Sequence, residues 1–185
     1  MSYINPVPIM RRGHDTPEMS RIYAMMLKFI KFPCKYFQLW NVRPNCGYFF
    51  TGSHWYGADQ NQMAFITAFM SKYGDFDEEL AGITREEIRD MCIKTIRYSC
   101  FTHDTGPEDC VRVMGRNKLQ SGTKWGGNYV PWPGPRNKFF QSSQVGGSIT
   151  SLGFAVWIMW EDLDEETRQM AYNAITDYAE RWVNY

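Results

Sequence analysis

At 185 residues, with 44% hydrophobic and 16% aromatic side chains, the chain is long enough to bury one substantial core and too apolar to stay disordered. Its 20 basic and 20 acidic residues give a formal net charge of +0 with no run of Lys or Arg, which disfavours nucleic acid as the main partner. Five cysteines, an odd number without a CxxC pair, argue against a complete disulfide framework and a zinc-finger site, and "GFAVWIMW" is too short to span a membrane.

In chain order, "MSYINPVPIMRRGHD" has no apolar core of a signal peptide, so a reducing, cytoplasmic setting with free thiols is expected. Arg11, Arg12 and His14 have the chemistry to bind a carboxylate or phosphate, but a solvated arm is the plainer reading. The first helix starts at "DTPEMSRIYAMMLKFIKF". Thr16 is its expected N-cap and Pro17 its first residue. Ile22, Met26, Phe29 and Ile30 form its apolar stripe, and Pro33 ends it. An aromatic loop, "CKYFQLWNVRPNCGYFFTGSHWYG", follows.

The second helix runs roughly from Ala58 to Tyr73 and stops at Gly74. The third begins at "TREEIRDM", where Thr84 and Glu87 have capping-box spacing. Ile88, Cys92, Thr95 and Ser99, with Met91 and Ile96 beside them, give it one apolar side. The fourth, from about Ser143 to Trp160, is apolar on nearly every face, which predicts a buried helix. The fifth is capped by Asp164 and carries Ala171, Ile175, Tyr178 and Trp182 along one face.

"DFDEELAGITREEIRDM" and "WEDLDEETRQMAY" share an order: acidic loop, cap, Thr-Arg, amphipathic helix. Thr167 follows Thr84 by 83 positions (167 − 84), and each copy comes after a more apolar helix. This predicts repeated antiparallel helical hairpins, each with an inner and an outer helix, although acidic helix starts also look alike without common origin. The expected fold is all-α: residues 1–185 as a single helical domain forming part of an (α/α) toroid. The final "AERWVNY" stops in a helical pattern without a cap, so the chain is expected to be a piece of a larger protein.

The run from Lys124 to Met170, "KWGGNYVPW" through "FFQSSQVGGSITSLGFAVWIMWEDLDEETRQM", resembles the helical toroid of heparinase II/III-like proteins, which are polysaccharide lyases and their relatives. In that family a Trp-Gly loop leads into an amide- and serine-rich helix start and then into a "WDELD"-type turn. The apolar helix with "WEDLD" is also similar to other toroid families, including unsaturated glucuronyl hydrolases. The resemblance implies a poly- or oligosaccharide partner, a uronate-containing glycan cleaved by β-elimination, and no cofactor or metal. The family's downstream β-sandwich has no counterpart in this sequence.

The residues offer chemistry of that kind. Sugar rings pack C–H faces on aromatic planes and satisfy their hydroxyls with planar amides. Trp125, Tyr129 and Trp132 are candidate platforms, and Asn128, Gln141 and Gln144 candidate hydrogen-bonding amides; a loop that plugs the toroid end is the alternative. A lyase must neutralise the uronate carboxylate, remove a weakly acidic proton and protonate the leaving oxygen. His54, Tyr56 and Asn128 are the right types, and all are expected at one cleft; a packed cluster at a helix start is the alternative for His54.

His103 and Asp104 lie at the turn ending the third helix. There a catalytic role competes with simple stabilisation of a His cation by the helix dipole. Cys100 and Cys110 flank that turn, but no motif marks a Cys–His nucleophile. A glycoside hydrolase would instead need two carboxylates about 5–5.5 Å or about 6.5–9.5 Å apart, for which Asp59, Asp104 and Glu108 are available. A non-catalytic carbohydrate-binding or scaffold domain is the remaining class.

Overall fold

The computed structural model describes residues 16–50, 52, 60–103, 105–107, 109–110 and 143–183, apart from the side chains of 143–145 and 181–182. These residues are mostly helical, with one small antiparallel sheet of two strands.

Helix α1 spans Pro17–Cys34. The Thr16 side chain accepts the Met19 N–H at 3.3 Å and Pro17 occupies the first turn, as the sequence leads one to expect. Pro33 sits inside the last turn, so the helix runs one residue beyond it. The buried side carries Leu27, Ile30 and Pro33, with Tyr23 and Met26 packed against the same core. Ile22 and Phe29, expected on that side, face outward instead. The helix has apolar residues around more than half its circumference, and composition alone does not say which part is covered.

The aromatic loop that follows contains the sheet, β1 Phe37–Leu39 and β2 Gly47–Phe49, with Phe37 paired to Phe49 and Leu39 to Gly47. Three-residue strands leave no alternating pattern long enough to read. Helix α2, Gln60–Lys72, is buried at eight positions, including Ala64, Thr67 and Ala68. A short helix α3, Glu78–Ala81, is capped by Asp77 and stopped by Gly82, whose φ of 67° is left-handed. The chain restarts at α4, Arg85–Phe101, through the full Thr84–Glu87 capping box. Ile88, Cys92, Thr95, Ile96 and Ser99 are all buried, so that side was read correctly.

Helix α5 covers Ser143–Met159 and passes through a 3₁₀ turn, Trp160–Asp162, into α6, Glu165–Val183. Asp164 caps α6 by accepting the Thr167 N–H at 2.7 Å. Although α5 is apolar all round, it buries one face, through Ser148, Ile149, Leu152, Ala155, Val156 and Met159. Phe154 and Trp157 stay partly exposed away from that face, with Phe65 of α2 beside Phe154.

Side-chain contacts fix the helix directions. Arg85 on α4 reaches the Gly74 carbonyl just after α2, while Cys92 meets the Ala64 carbonyl at mid-helix, so α2 and α4 are antiparallel. Arg168 on α6 reaches the Trp160 carbonyl, and the Tyr178 hydroxyl lies beside Gly146, so α5 and α6 are antiparallel as well. Between hairpins, Asn61 meets Ser148, Phe65 meets Phe154 and Ser71 meets Met159, which makes α2 and α5 parallel. Arg97 meets Asp164, Glu166 and Thr167, and His103 meets Asp177, which makes α4 and α6 parallel. Two antiparallel hairpins are therefore stacked in register.

The internal echo takes a more specific form than the sequence suggests. Arg85 and Arg168 do the same work: each donates to a carbonyl just past the end of α2 or α5, Gly74 or Trp160, and stacks on an aromatic ring, Phe76 or Trp160, at 5.3 Å. The threonines before them differ. Thr84 is an N-cap, whereas Thr167 is the third helical residue and has its N–H capped by Asp164.

The main core lies among α2, α4, α5 and α6, where Ala64, Ala68, Ala155, Ala171 and Ala174 let helices approach closely around Cys92, Ile96, Leu152 and Met159. A second cluster joins α1, β2, α2 and α4 through Leu27, Ile30, Phe49, Met63, Met70 and Ile88. At the far end of the α2–α5 pair, Asp162 binds Lys72 of α2 and Arg89 of α4. Burial pushes the Asp162 carboxyl up, but the hydrogen bonds and charges of Lys72 and Arg89 outweigh it and hold it below the usual carboxylate range.

Candidate functional site

The parallel run of α2 and α5 puts their amino-terminal ends side by side. Gln60, the first residue of α2, is buried and bridges β2: its side chain accepts the Phe49 N–H at 2.8 Å and donates to the Phe49 carbonyl at 3.0 Å. The next residue, Asn61, donates to the Ser148 hydroxyl of α5 at 2.9 Å, and both are buried. Gly52 joins this end to β2 with a φ of 72°, and a Cβ there would fall 2.7 Å from the Tyr98 hydroxyl that donates to the Gly52 carbonyl. Amide and hydroxyl groups thus floor this end.

The electrostatics of the two ends are also shared. Helices α1, α3, α4 and α6 all carry acidic residues in the first turn, whereas α2 and α5 carry none. The positive ends of two helix dipoles therefore point at the same region, with no acidic residue inside either first turn; Asp59, just before α2, lies outside the described residues. Running away from it along the open face of α5 are Gly147, Thr150, Phe154 and Trp157, with Phe65 of α2 beside Phe154 at 5.4 Å between ring centres. The exposure of Phe154 and Trp157 departs from the buried helix that an all-round apolar sequence predicts. Their i, i+3 spacing opposite the Leu152–Met159 face was the signal available.

A second polar cluster lies between α4 and α6. His103 is fully buried in the turn after α4. Its Nδ1 accepts the Thr105 N–H at 3.1 Å and lies 2.8 Å from the Thr105 hydroxyl, which places the neutral ring's proton on Nε2. That nitrogen faces the Asp177 carboxylate, also buried, at 3.8 Å. Arg97, one and a half turns earlier, donates to Thr167 at 2.6 Å and to Glu166 at 3.0 Å, pairs with Asp164, and lies over the Phe101 ring. Burial pushes the Asp164 carboxyl up, but the Thr167 hydrogen bonds and the Arg97 charge bring it below the ordinary range. This cluster ties α4 to α6 within the interior of the fold.

The five cysteines are free thiols. Burial pushes Cys34, Cys46 and Cys92 up to about 12, in Cys46 against the opposing pull of Arg97. Cys100 and Cys110, on either side of the His103 turn, are also raised by burial, with Arg43 opposing the rise at Cys110. A thiol held protonated at neutral pH is a poor nucleophile, so neither supports a Cys–His pair.

Of the catalytic and sugar-binding residues expected from sequence, His103 alone has a described side chain, and its ring is held inside the fold as above. His54, Tyr56, Asp59, Asp104, Glu108, Trp125, Asn128, Tyr129, Trp132 and Gln141 lie outside the described residues, as do Arg11, Arg12 and His14. Gln144 falls in the first turn of α5, with its side chain outside them. The described chain nonetheless fixes where two of the candidate segments join the fold: 53–59 leads into α2 and 111–142 into α5, at the adjacent amino-terminal ends. Among the described residues, no group of three His, Cys, Asp or Glu is placed to hold a metal, and no helix is long and apolar enough to cross a membrane. Comparisons with protein-family models, with curated proteins and with solved structures find no match to this chain.

Proposed function

We propose that the chain is the helical part of a carbohydrate-active (α/α) toroid that binds uronate-containing glycans and cleaves them by β-elimination. The observation carrying this reading is the Asn61–Ser148 hydrogen bond at 2.9 Å between the starts of the parallel helices α2 and α5, which this reading takes as the inner helices of successive hairpins. Inner helices running the same way bring the segments before them to one end of the array. The segment with His54 and Tyr56 and the segment with Trp125, Asn128 and Trp132 then share a cleft. Two further features support a uronate ligand. The paired helix amino termini, with no acid in either first turn, favour a carboxylate, and the exposed Phe154 and Trp157 suit a sugar ring.

In this reading Asn128 neutralises the uronate carboxylate, His54 or Tyr56 takes the adjacent carbon-bound proton, and Tyr56 returns a proton to the leaving oxygen. Trp125, Tyr129 and Trp132 hold the rings, with Gln141 and Gln144 on their hydroxyls.

The test is ultraviolet absorbance of the unsaturated uronate product when the chain is mixed with uronate polysaccharides, alongside calorimetric binding to the same polymers. Asn128→Ala should lower turnover about 100-fold or more, on the scale of losing one charge-stabilising donor, while the melting temperature holds. Trp125→Ala should mainly weaken binding. Binding without product would make the domain a non-catalytic module; neither binding nor product would end the carbohydrate reading.

A further inference from the structure

Helix α1 carries its own unanswered surface, remote in kind from the polar end of α2 and α5. Ile22, Met25, Phe29, Phe32 and Tyr36 are 48–69% exposed. Ile22, Met25, Phe29 and Phe32 keep heptad spacing within the helix, and Tyr36 extends the stripe from the turn just after it. Its helical part, from Ile22 to Phe32, is about 15 Å long at the rise of an α-helix. It ends in an aromatic pad, where Phe32 lies 5.1 Å from Tyr36 and Tyr36 lies 5.8 Å from Phe50. So much contiguous apolar surface on a helix with good caps marks a docking site.

The edge of the stripe says what docks there. Arg21, Lys28 and Lys35 recur every seven residues immediately before Ile22, Phe29 and Tyr36, the flanking position that selects partners in coiled coils. None of the three forms an ion pair with another described residue. The only acidic residue of α1, Glu18, lies in the first turn, beyond that row. A second copy of α1 answers this row badly: antiparallel, it sets cations against cations; parallel, it sets them against Met26 and Pro33. An anionic lipid surface is disfavoured by Asp77 and Glu79 on α3, which packs along the other side of the row.

We propose that α1 is the docking face for an amphipathic helix of another protein, with a heptad apolar seam flanked by Glu or Asp. The partner helix buries Phe29 and the Phe32–Tyr36 pad and places its acids against Arg21, Lys28 and Lys35.

The probe is a fluorescent three-heptad peptide with Leu at both core positions and Glu at both flanking positions, titrated into the full chain and compared with the same peptide carrying Lys in place of Glu. The Glu peptide should bind about tenfold or more tighter, the worth of three exposed ion pairs. The triple substitution Arg21→Glu, Lys28→Glu, Lys35→Glu should reverse the preference, and Phe29→Asp should weaken the Glu peptide at least about tenfold with an unchanged helical circular dichroism spectrum. Equal affinity for the two peptides, or indifference to Phe29→Asp, overturns the proposal. So does a dimer in sedimentation that Phe29→Asp dissolves, or flotation of the chain with phosphatidylserine vesicles that Phe29→Asp abolishes.

Discussion

Asp162→Asn removes one charge and keeps the side chain's shape, at the point where the second hairpin grips both helices of the first. Arg89 donates to Asp162 Oδ1 from Nε at 3.0 Å and from Nη2 at 2.6 Å, and Lys72 pairs with Oδ2. Hydrogen bonds to charged groups contribute about 1.5–3 kcal/mol each, so a simple sum would exceed 4 kcal/mol on that scale. The cations will not be stranded, however. The Arg89 and Lys72 side chains are 35% and 32% exposed against 11% for Asp162, so both rehydrate when the charge is lost. The net loss should be about 2 kcal/mol, or about 4–8 °C in melting temperature for a domain of this size. The pH dependence separates charge from packing. The folded-state value of Asp162 lies below its ordinary 3.8, so its stabilisation is complete above that value and disappears as the pH falls through the folded one. Thermal and urea melts of both proteins between pH 7 and pH 3 should show a full gap at neutral pH that closes on acidification. A gap that is absent at pH 7, or that stays constant to pH 3, would refute the charge-bridge argument.

Arg85→Ala and Arg168→Ala should each cost about 1–2 kcal/mol, since each loses one charge-assisted bond to a carbonyl and one stacked ring; urea melts that differ between them by more than about 1 kcal/mol would deny their equivalence. Leu152→Ala, at the centre of the contact between hairpins, should cost about 3 kcal/mol by denaturant titration, whereas Phe154→Ala on the open face of the same helix should cost much less. The native chain should show no fast-reacting thiol at pH 8 and five in denaturant, counted by a thiol-reactive dye; rapid native labelling of Cys46, Cys92 or Cys100 would contradict their burial.

The features legible in the sequence were those with local causes. Thr16, Pro17 and the Thr84–Glu87 pair state helix starts outright, because a cap is satisfied within four residues. The side of α4 is legible because its polar residues leave a single apolar choice. The sides of α1 and α5 are not, since both are apolar over most of their circumference and only tertiary neighbours decide which part is covered. The Phe37–Leu39 and Gly47–Phe49 strands are too short to show alternation, and their pairing depends on Gln60, eleven residues after Phe49. At the candidate site, the sequence singled out the segments before α2 and α5. It missed Asn61 and Ser148, because a hydrogen bond across 87 positions leaves no mark on local composition.

The α2–α5 contact has a mechanical consequence. Asn61–Ser148 pins the pair at one end and the Lys72–Asp162 bridge pins it at the other, about 16 Å away along the helix. A slide of one helical turn, about 5.4 Å, would break both pins at once and strand Asn61 and Ser148 in the interior. The two pins therefore hold α2 and α5 in a single register. The amino-terminal ends of α2 and α5 are thereby held level with each other, so a group bridging Asn61 and Ser148 meets both at one fixed spacing.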